Sequence, residues 1–440
     1  MTHQPIGIPS SHLPEMKTDV PGPQSRKLAQ RLTVVEGQGV TSMSPPPIFW
    51  SRAKGSNVWD VDGNRYLDLT AAFGVANAGH AHPEVVGAFH QQAETLLHGL
   101  GDVHPSDIRL QLLEELVARF PGGHAAKAVL GSSGSDAVET ALKTAMLASG
   151  RPGILAFEGA YHGVSLGTLD VGWRSDFREP FEARVPKQAR FARFGDLAHT
   201  REVADRAEAD GFEIGAVLVE PIQGRGGDRI TPAGFVRGLR ELCDQRGWLL
   251  IADEIFTGFG RTGRLWALDH DSVVPDLLCV GKGLASGLPL SACLGRREVM
   301  DAWPRPDPEA IHTQTFLGHP ANCAAALVSL QLLDREEEFE KTRNRGAAAL
   351  AQLKHGLRDN AAVKEARGLG LLMAIEFQES AHAEALTRRA LERGMILLQS
   401  AEDGCVVSIT PPLCIDEEAL TYAMDRLIEL IGELEETRSS

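Results

Sequence analysis

Lys282 stands between Gly281 and Gly283, directly after the apolar run Leu277-Leu278-Cys279-Val280. A lysine at the mouth of a buried strand is partly desolvated, which lowers its pKa and frees the amine as a nucleophile. Other capable groups also follow apolar runs. Asp253 ends Trp248-Leu249-Leu250-Ile251-Ala252, and a carboxylate there needs a cationic or donor partner. Glu220 follows Ala216–Val219, and Tyr161 lies in Glu158-Gly159-Ala160-Tyr161-His162-Gly163 after Ile154–Phe157. Gly131-Ser132-Ser133-Gly134-Ser135-Asp136 follows Ala128–Leu130 and opens a helix, because Ala137, Ala141 and Ala145 recur four apart. A helix N-terminus with spare N–H groups and small hydroxyls binds phosphate. Taken singly, each feature has an ordinary reading as an N-cap, a turn lysine or a structural ion pair.

The elements that must position these groups are legible between residues 125 and 295. Short apolar runs alternate there with helical segments, as in an α/β sheet whose strands are buried on both faces. In such sheets ligands sit outside the carboxyl ends of the strands. One Gly/Ser loop, one aromatic, two carboxylates and one lysine therefore converge on one edge. Upstream, residues 1–25 carry five prolines and read as a flexible arm, followed by a helix from Ser25 to Leu32. Asn57–Val61 and Arg65–Leu69 flank the turn Asp62-Gly63 and predict a hairpin. Beyond residue 320, Ala321–Leu333 and Asp334–Lys354 read as helices. A smaller α+β unit follows, with a strand at Leu371–Phe377 after a turn at Gly368-Leu369-Gly370. It ends in an amphipathic helix presenting Leu420, Met424, Leu427, Ile428, Ile431 and Leu434. The expected domains are the arm 1–25, a first part of a small domain at 26–84, a large domain at 85–325 and the rest of the small domain at 326–440.

Composition narrows the field further. Asp+Glu 59 against Lys+Arg 44 gives a net charge of −15, which disfavours a nucleic-acid partner. Six cysteines, none in a CxxC pair, argue against a zinc ribbon and fit reduced thiols of a cytoplasmic protein. No apolar run reaches the ~18 residues that cross a bilayer, so no membrane partner is expected. Gly-Lys-Gly at 281–283 is not a phosphate-binding P-loop, which needs Gly at 276 and Ser or Thr at 283. His80-Ala81-His82 has no further ligands at metal-site spacing, so no metal is expected.

Together the groups acquire a meaning none has alone. A phosphate cradle, a nucleophilic lysine, a carboxylate for a pyridinium nitrogen and an aromatic for ring stacking are what pyridoxal 5'-phosphate requires. The chain resembles the class III pyridoxal-phosphate-dependent aminotransferases of fold type I, from about Pro21 to Leu434. The likeness is carried by Val219-Glu220-Pro221-Ile222-Gln223-Gly224, Ile251-Ala252-Asp253-Glu254-Ile255-Phe256-Thr257-Gly258 and Gly281-Lys282-Gly283, with further matches at Ser133-Gly134-Ser135, Tyr161-His162-Gly163 and Thr315–Pro320. The resemblance implies a large three-layer α/β/α domain with a smaller α+β domain. It implies that Lys282 holds the cofactor as a Schiff base and shuttles the proton, with Asp253 on the pyridinium nitrogen. Gly134 and Ser135 would hold the phosphate, Tyr161 and Ile255 would lie on the two ring faces, and Glu220 would lie in the pocket. Thr315 would reach the phosphate of the neighbouring subunit, which implies a homodimer with composite sites. The implied reaction moves an amino group from an amine or amino-acid donor to a 2-oxo-acid acceptor. The alternative is an amino-acid racemase or epimerase, since Pro21–Arg26 and Ser133–Val138 also resemble that branch of the family.

Two residues depart from the family pattern. Phe256 stands where many members have Gln. Ser408 stands where members using 2-oxoglutarate carry the Arg that pairs with the glutamate at position 220. Residues 395–415 contain neither Arg nor Lys, so Glu220 is expected to take its cation from Arg225 or from the substrate.

Overall fold

The computed structural model describes residues 11–439 and forms two compact units. One runs from Pro83 to Arg343; the other joins the residues up to His82 with those from Asn344 onward.

The 83–343 unit is built on seven strands. In chain order these are β1 Ala126–Gly131, β2 Gly153–Phe157, β3 Ala189–Ala192, β4 Ile214–Val219, β5 Leu249–Asp253, β6 Leu277–Val280 and β7 Ser291–Arg296. They lie in the order β1-β7-β6-β5-β4-β2-β3, parallel except for β7, which is antiparallel to both neighbours. All residues of β2, β4 and β6 are buried, as the unbroken apolar runs require.

Alternate strand residues sort to two faces. Ile154, Ala156, Ala216, Leu218, Ile251, Leu277 and Cys279 pack with Ala137, Val138, Ala141 and Ala145 of helix α1, Gly134–Ser149. Phe157, at the end of β2, meets Phe235 at 5.5 Å, at the start of helix α2, Phe235–Arg246. Helices therefore cover both faces, giving a three-layer α/β/α body. The sequence pattern misses β3 and β7. The first is a four-residue strand interrupted by Arg190; the second carries Ser, Cys and Gly in place of β-branched residues.

Local chemistry sets where α1 begins. Ser133 caps it: its hydroxyl accepts the Asp136 N–H at 3.2 Å, while the Asp136 carboxylate accepts the Ser133 N–H at 3.1 Å. Gly150, left-handed at φ 69°, ends it.

In the other unit the expected hairpin is present, Asn57–Asp60 against Arg65–Asp68, with Gly63 at φ 85° in its turn. Asp60 fastens the turn by accepting from the Tyr66 hydroxyl at 2.7 Å and the Asn64 amide at 2.8 Å. Residues 11–25, expected as part of a flexible arm, are held. Glu15 bridges Arg65, Asn64 accepts the Lys17 and Thr18 N–H groups, and Asp62 accepts those of Gln24 and Ser25. Prolines suppress regular structure there, but side-chain acceptors on the hairpin supply the lost ladder. Residues 1–10 of the expected arm lie outside the described residues. The first helix spans Pro23–Val35. A second sheet orders Val363–Leu369, Leu372–Phe377, Val406–Ile409 and Leu398–Ser400. Gly368 and Leu369, expected in a turn, end a strand; the reversal comes one residue later, at Gly370, φ 60°.

Candidate active site

Register brings the chemistry to one edge. Val219 lies opposite Ala252, and Asp253 opposite Cys279, so β4, β5 and β6 finish nearly level. Glu220, Asp253 and Lys282 leave that edge together, and α1 begins there after β1.

Asp253 is 5% exposed. One of its oxygens lies 2.7 Å from His162 Nδ1, and the other accepts the Ile255 N–H at 3.0 Å. His162 is thus the partner that the burial of Asp253 demands. Burial pulls the His162 imidazole down, but the hydrogen bond and charge of Asp253, with the charge of Glu220, outweigh it and raise the ring above its ordinary pKa. His162 Nε2 is buried with no hydrogen-bond partner among the described residues. Sequence reasoning places His162 inside a motif without a role; the signal that could have found it is the unmet need of Asp253 itself.

Glu220 is buried and accepts the Tyr161 N–H at 3.1 Å and the Gly224 N–H at 3.3 Å. Burial drives its pKa up to about 7, with His162 opposing and Asp253 assisting. Without a substrate in place, Glu220 is held by two backbone donors beside a neighbouring imidazole, which suffice for a carboxyl that is only partly ionised near neutrality. Ser408 lies in the strand Val406–Ile409, opposite Ala374.

Lys282 opens a short turn, Lys282–Ala285, with left-handed φ of 37° at Lys282 and 43° at Ser286. Non-glycine residues there cost about 1–2 kcal/mol each and persist only where surroundings enforce them. Ser329 does so: its hydroxyl donates to Gly283 O at 3.0 Å and lies 2.8 Å from Ser286 Oγ, all buried. Burial lowers the Lys282 ammonium to about 8, with Arg225 pushing the same way and Asp253 and Glu220 opposing. Its Nζ sits 4.2 Å from the centre of the Phe256 ring.

The remaining expected residues surround this trio. Gly134 and Ser135 form the first turn of α1, where the helix offers no acceptors for their N–H groups. Ile255 packs between Gly134 and Gly281, and a Cβ at Gly134 would press on it at 3.1 Å. Gly163, at φ 109°, comes so close that a Cβ would lie 2.0 Å from Ser135 Oγ. Half-buried Tyr161 has its ring edge-on to Phe177 at 5.8 Å. Thr315 stands apart, exposed in a turn; its neighbour Gln314 accepts from Ser132 Oγ at 2.9 Å.

Residues 39–431 match the family model for class-III aminotransferases. The chain belongs to this family. It is 37% identical to the acetylornithine aminotransferase of Methanopyrus kandleri over 88% of this chain and 94% of that one. It is 34% identical to the 4-aminobutyrate aminotransferase of Escherichia coli over 93% and 99% of the two. The solved structure of ornithine aminotransferase from Toxoplasma gondii superposes with a TM-score of 0.86 at 30% identity, covering 94% of this chain and 96% of that one.

This aminotransferase is therefore an enzyme of fold type I with pyridoxal phosphate as cofactor, and its relatives support amino transfer over racemisation. The site fits the group on its own geometry. It offers an amine depressed toward neutrality, a carboxylate braced by His162, and a helix N-terminus against which Gly163 leaves no room for a side chain. Among the described residues, no helix of the aminotransferase is long and apolar enough to cross a membrane.

Proposed function

We propose that Lys282 is the catalytic residue of this aminotransferase, that the site is completed by a second copy of the chain, and that the donor is a primary amine on a chain bearing a carboxylate. The observation that carries the reading is the Lys282 amine held at one strand end, beside the Asp253–His162 pair at the next. When bound, pyridoxal phosphate supplies an electron-withdrawing ring that acidifies the carbon–hydrogen bond beside the donor nitrogen. Lys282 Nζ would take that proton and return it to the carbon on the other side of the nitrogen. Asp253 would keep a proton on the ring nitrogen, and His162, 2.7 Å away, holds Asp253 in place. The N–H groups of Gly134 and Ser135, at the positive end of α1, would hold the phosphate. Tyr161 and Ile255 would hold the ring between them, and Glu220 accepts the Tyr161 N–H. The 2-oxo-acid acceptor then reverses the sequence. Acetylornithine, 4-aminobutyrate and ornithine, which name the relatives, all carry a primary amine far from a carboxylate, and this supports the donor class.

A homodimer is supported by the surface around Thr315. Leu97, Leu100, Val103, Ile311 and Phe316 are each more than half exposed, and Thr313 ties the two segments by a 2.9 Å bond to Asp102. Apolar surface of that kind marks an interaction site. Thr315 in its midst would reach the partner's phosphate. The cofactor domain would take residues 85–325, which fall within the compact unit Pro83–Arg343, with the two parts of the small domain before and after it in the chain. Six free cysteines, with Cys279 directly opposite Cys293, support the reducing cytoplasm as its compartment.

Mixing tests the composite site. Lys282→Ala and Thr315→Ala proteins, unfolded together and re-dimerised, should regain about a quarter of wild-type 4-aminobutyrate:pyruvate transamination, as random pairing restores one intact site in half the dimers. A fully active monomer by sedimentation, or no complementation between two folded variants, overturns the reading.

A further inference from the structure

Arg225 lies one residue beyond Gly224, whose N–H bonds Glu220. A Cβ on Gly224 would meet the Phe256 ring at 2.5 Å, so this backbone is laid directly on the ring over which Lys282 Nζ sits. From there the Arg225 guanidinium reaches over two rings, 5.2 Å from the centre of Tyr161 and 5.8 Å from that of Phe177. Phe177 is bracketed from elsewhere by Arg174, at 4.8 Å, which is bound to Asp176 through Nε and Nη2, at 3.0 and 2.5 Å. Arg225 is a half-buried cation that the loop after β4 carries to the aromatic at the lysine's strand edge. Its charge is felt at Lys282, where it helps depress the ammonium.

We infer that Arg225 is the specificity-determining residue that binds the carboxylate of the donor, and of the 2-oxo acid that replaces it, while the amine or carbonyl end is presented to Lys282. The inference deepens, and rests on, the donor class proposed above. The chemistry matches: a guanidinium holds a carboxylate through a planar two-donor fork, and aromatic faces fix its orientation before the substrate arrives. Arg225 then supplies the cation that residues 395–415, without Arg or Lys, lack.

The test compares 4-aminobutyrate with its uncharged isostere 4-aminobutyramide in the cofactor-loaded enzyme, and separately measures butyrate binding by calorimetry. Arg225→Gln should lower the acid-to-amide ratio of kcat/KM roughly ten- to a hundredfold and weaken butyrate by a similar factor, the loss of one charge-assisted contact. Arg225→Lys, which keeps charge but not the fork, should fall between. Equal losses for acid and amide would show that Arg225 merely seats Tyr161, and an unchanged butyrate affinity would place the carboxylate elsewhere; either overturns the inference. If wild-type enzyme ignores 4-aminobutyrate yet binds butyrate through Arg225, the donor class fails and the carboxylate site stands.

Discussion

The two ends of the central strands treat buried charge in opposite ways. Asp276 immediately precedes β6 at its amino end. It accepts the Leu250 N–H at 2.7 Å, lies 2.6 Å from Arg240 Nη1 and 3.5 Å from Arg296 Nη1, and is 4% exposed. Burial works against the Arg240 guanidinium, but the charge and hydrogen bond of Asp276 outweigh it and raise its pKa. Each of these charges has an opposite neighbour. At the carboxyl end His162 answers Asp253 at 2.7 Å, whereas Glu220 is held by two backbone N–H groups and Lys282 lies buried over the Phe256 ring. Glu220 is pushed up to about 7 and Lys282 down to about 8. One edge holds the sheet together; the other keeps groups poised to exchange protons, the condition a cofactor and substrate would relieve.

Three measurements can break or sharpen that contrast. The largest effect is on activity. Lys282→Ala should reduce 4-aminobutyrate transamination roughly 10⁴-fold, since it removes both the attachment amine and the proton carrier. Its unfolding free energy should stay near wild type, because the lost cation was desolvated. Retained turnover would end the assignment.

Next comes stability at the other edge. Asp276→Ala should cost about 3–5 kcal/mol in denaturant unfolding, because it strips Arg296 of its carboxylate and leaves part-buried Arg240 with the exposed Asp244 alone. Turnover per folded molecule should remain close to wild type. A loss below about 1 kcal/mol would mean the cluster is not a clamp.

The smallest effect is a pH slope in the cofactor-free protein. Glu220 has a folded pKa of about 7 against an ordinary 4.5, so the folded state binds more protons between those values. Its contribution to stability is full below 4.5 and is lost as pH rises through 7, a fall on the order of 3 kcal/mol. Lys282 acts in the next window: lowered to about 8 from 10.5, it makes stability fall as pH drops from 10.5 to 8 and rise in the opposite direction. Glu220→Gln should roughly halve the slope of the 4.5–7 segment, the rest belonging to Glu254, which burial also raises to about 7, and leave the 8–10.5 segment in place. An unchanged slope below 7 would show that Glu220 is ionised throughout.

Much of this was legible from residue order. Strands buried on both faces announce themselves as unbroken apolar runs, and the polar residue ending each run is fixed by the chain. Lys282, Asp253 and Glu220 could therefore be placed at one edge before any coordinates. The capping chemistry of Ser133 and Asp136 is equally local, and so is the Asp62-Gly63 turn. β3 and β7 escaped because their pairing, not their composition, makes them strands.

What residue order could not decide were the partners. His162 meets Asp253 across 91 positions, Ser329 meets Ser286 across 43, and Arg225 comes to lie over Tyr161. Glu220 is satisfied by backbone groups rather than by the arginine its family pattern suggested. By itself the sequence determined which side chains leave the strand ends, because alternation and helix periodicity are local properties. Only the tertiary structure decided which charges are compensated, because compensation depends on a few ångströms of separation between segments far apart in the chain.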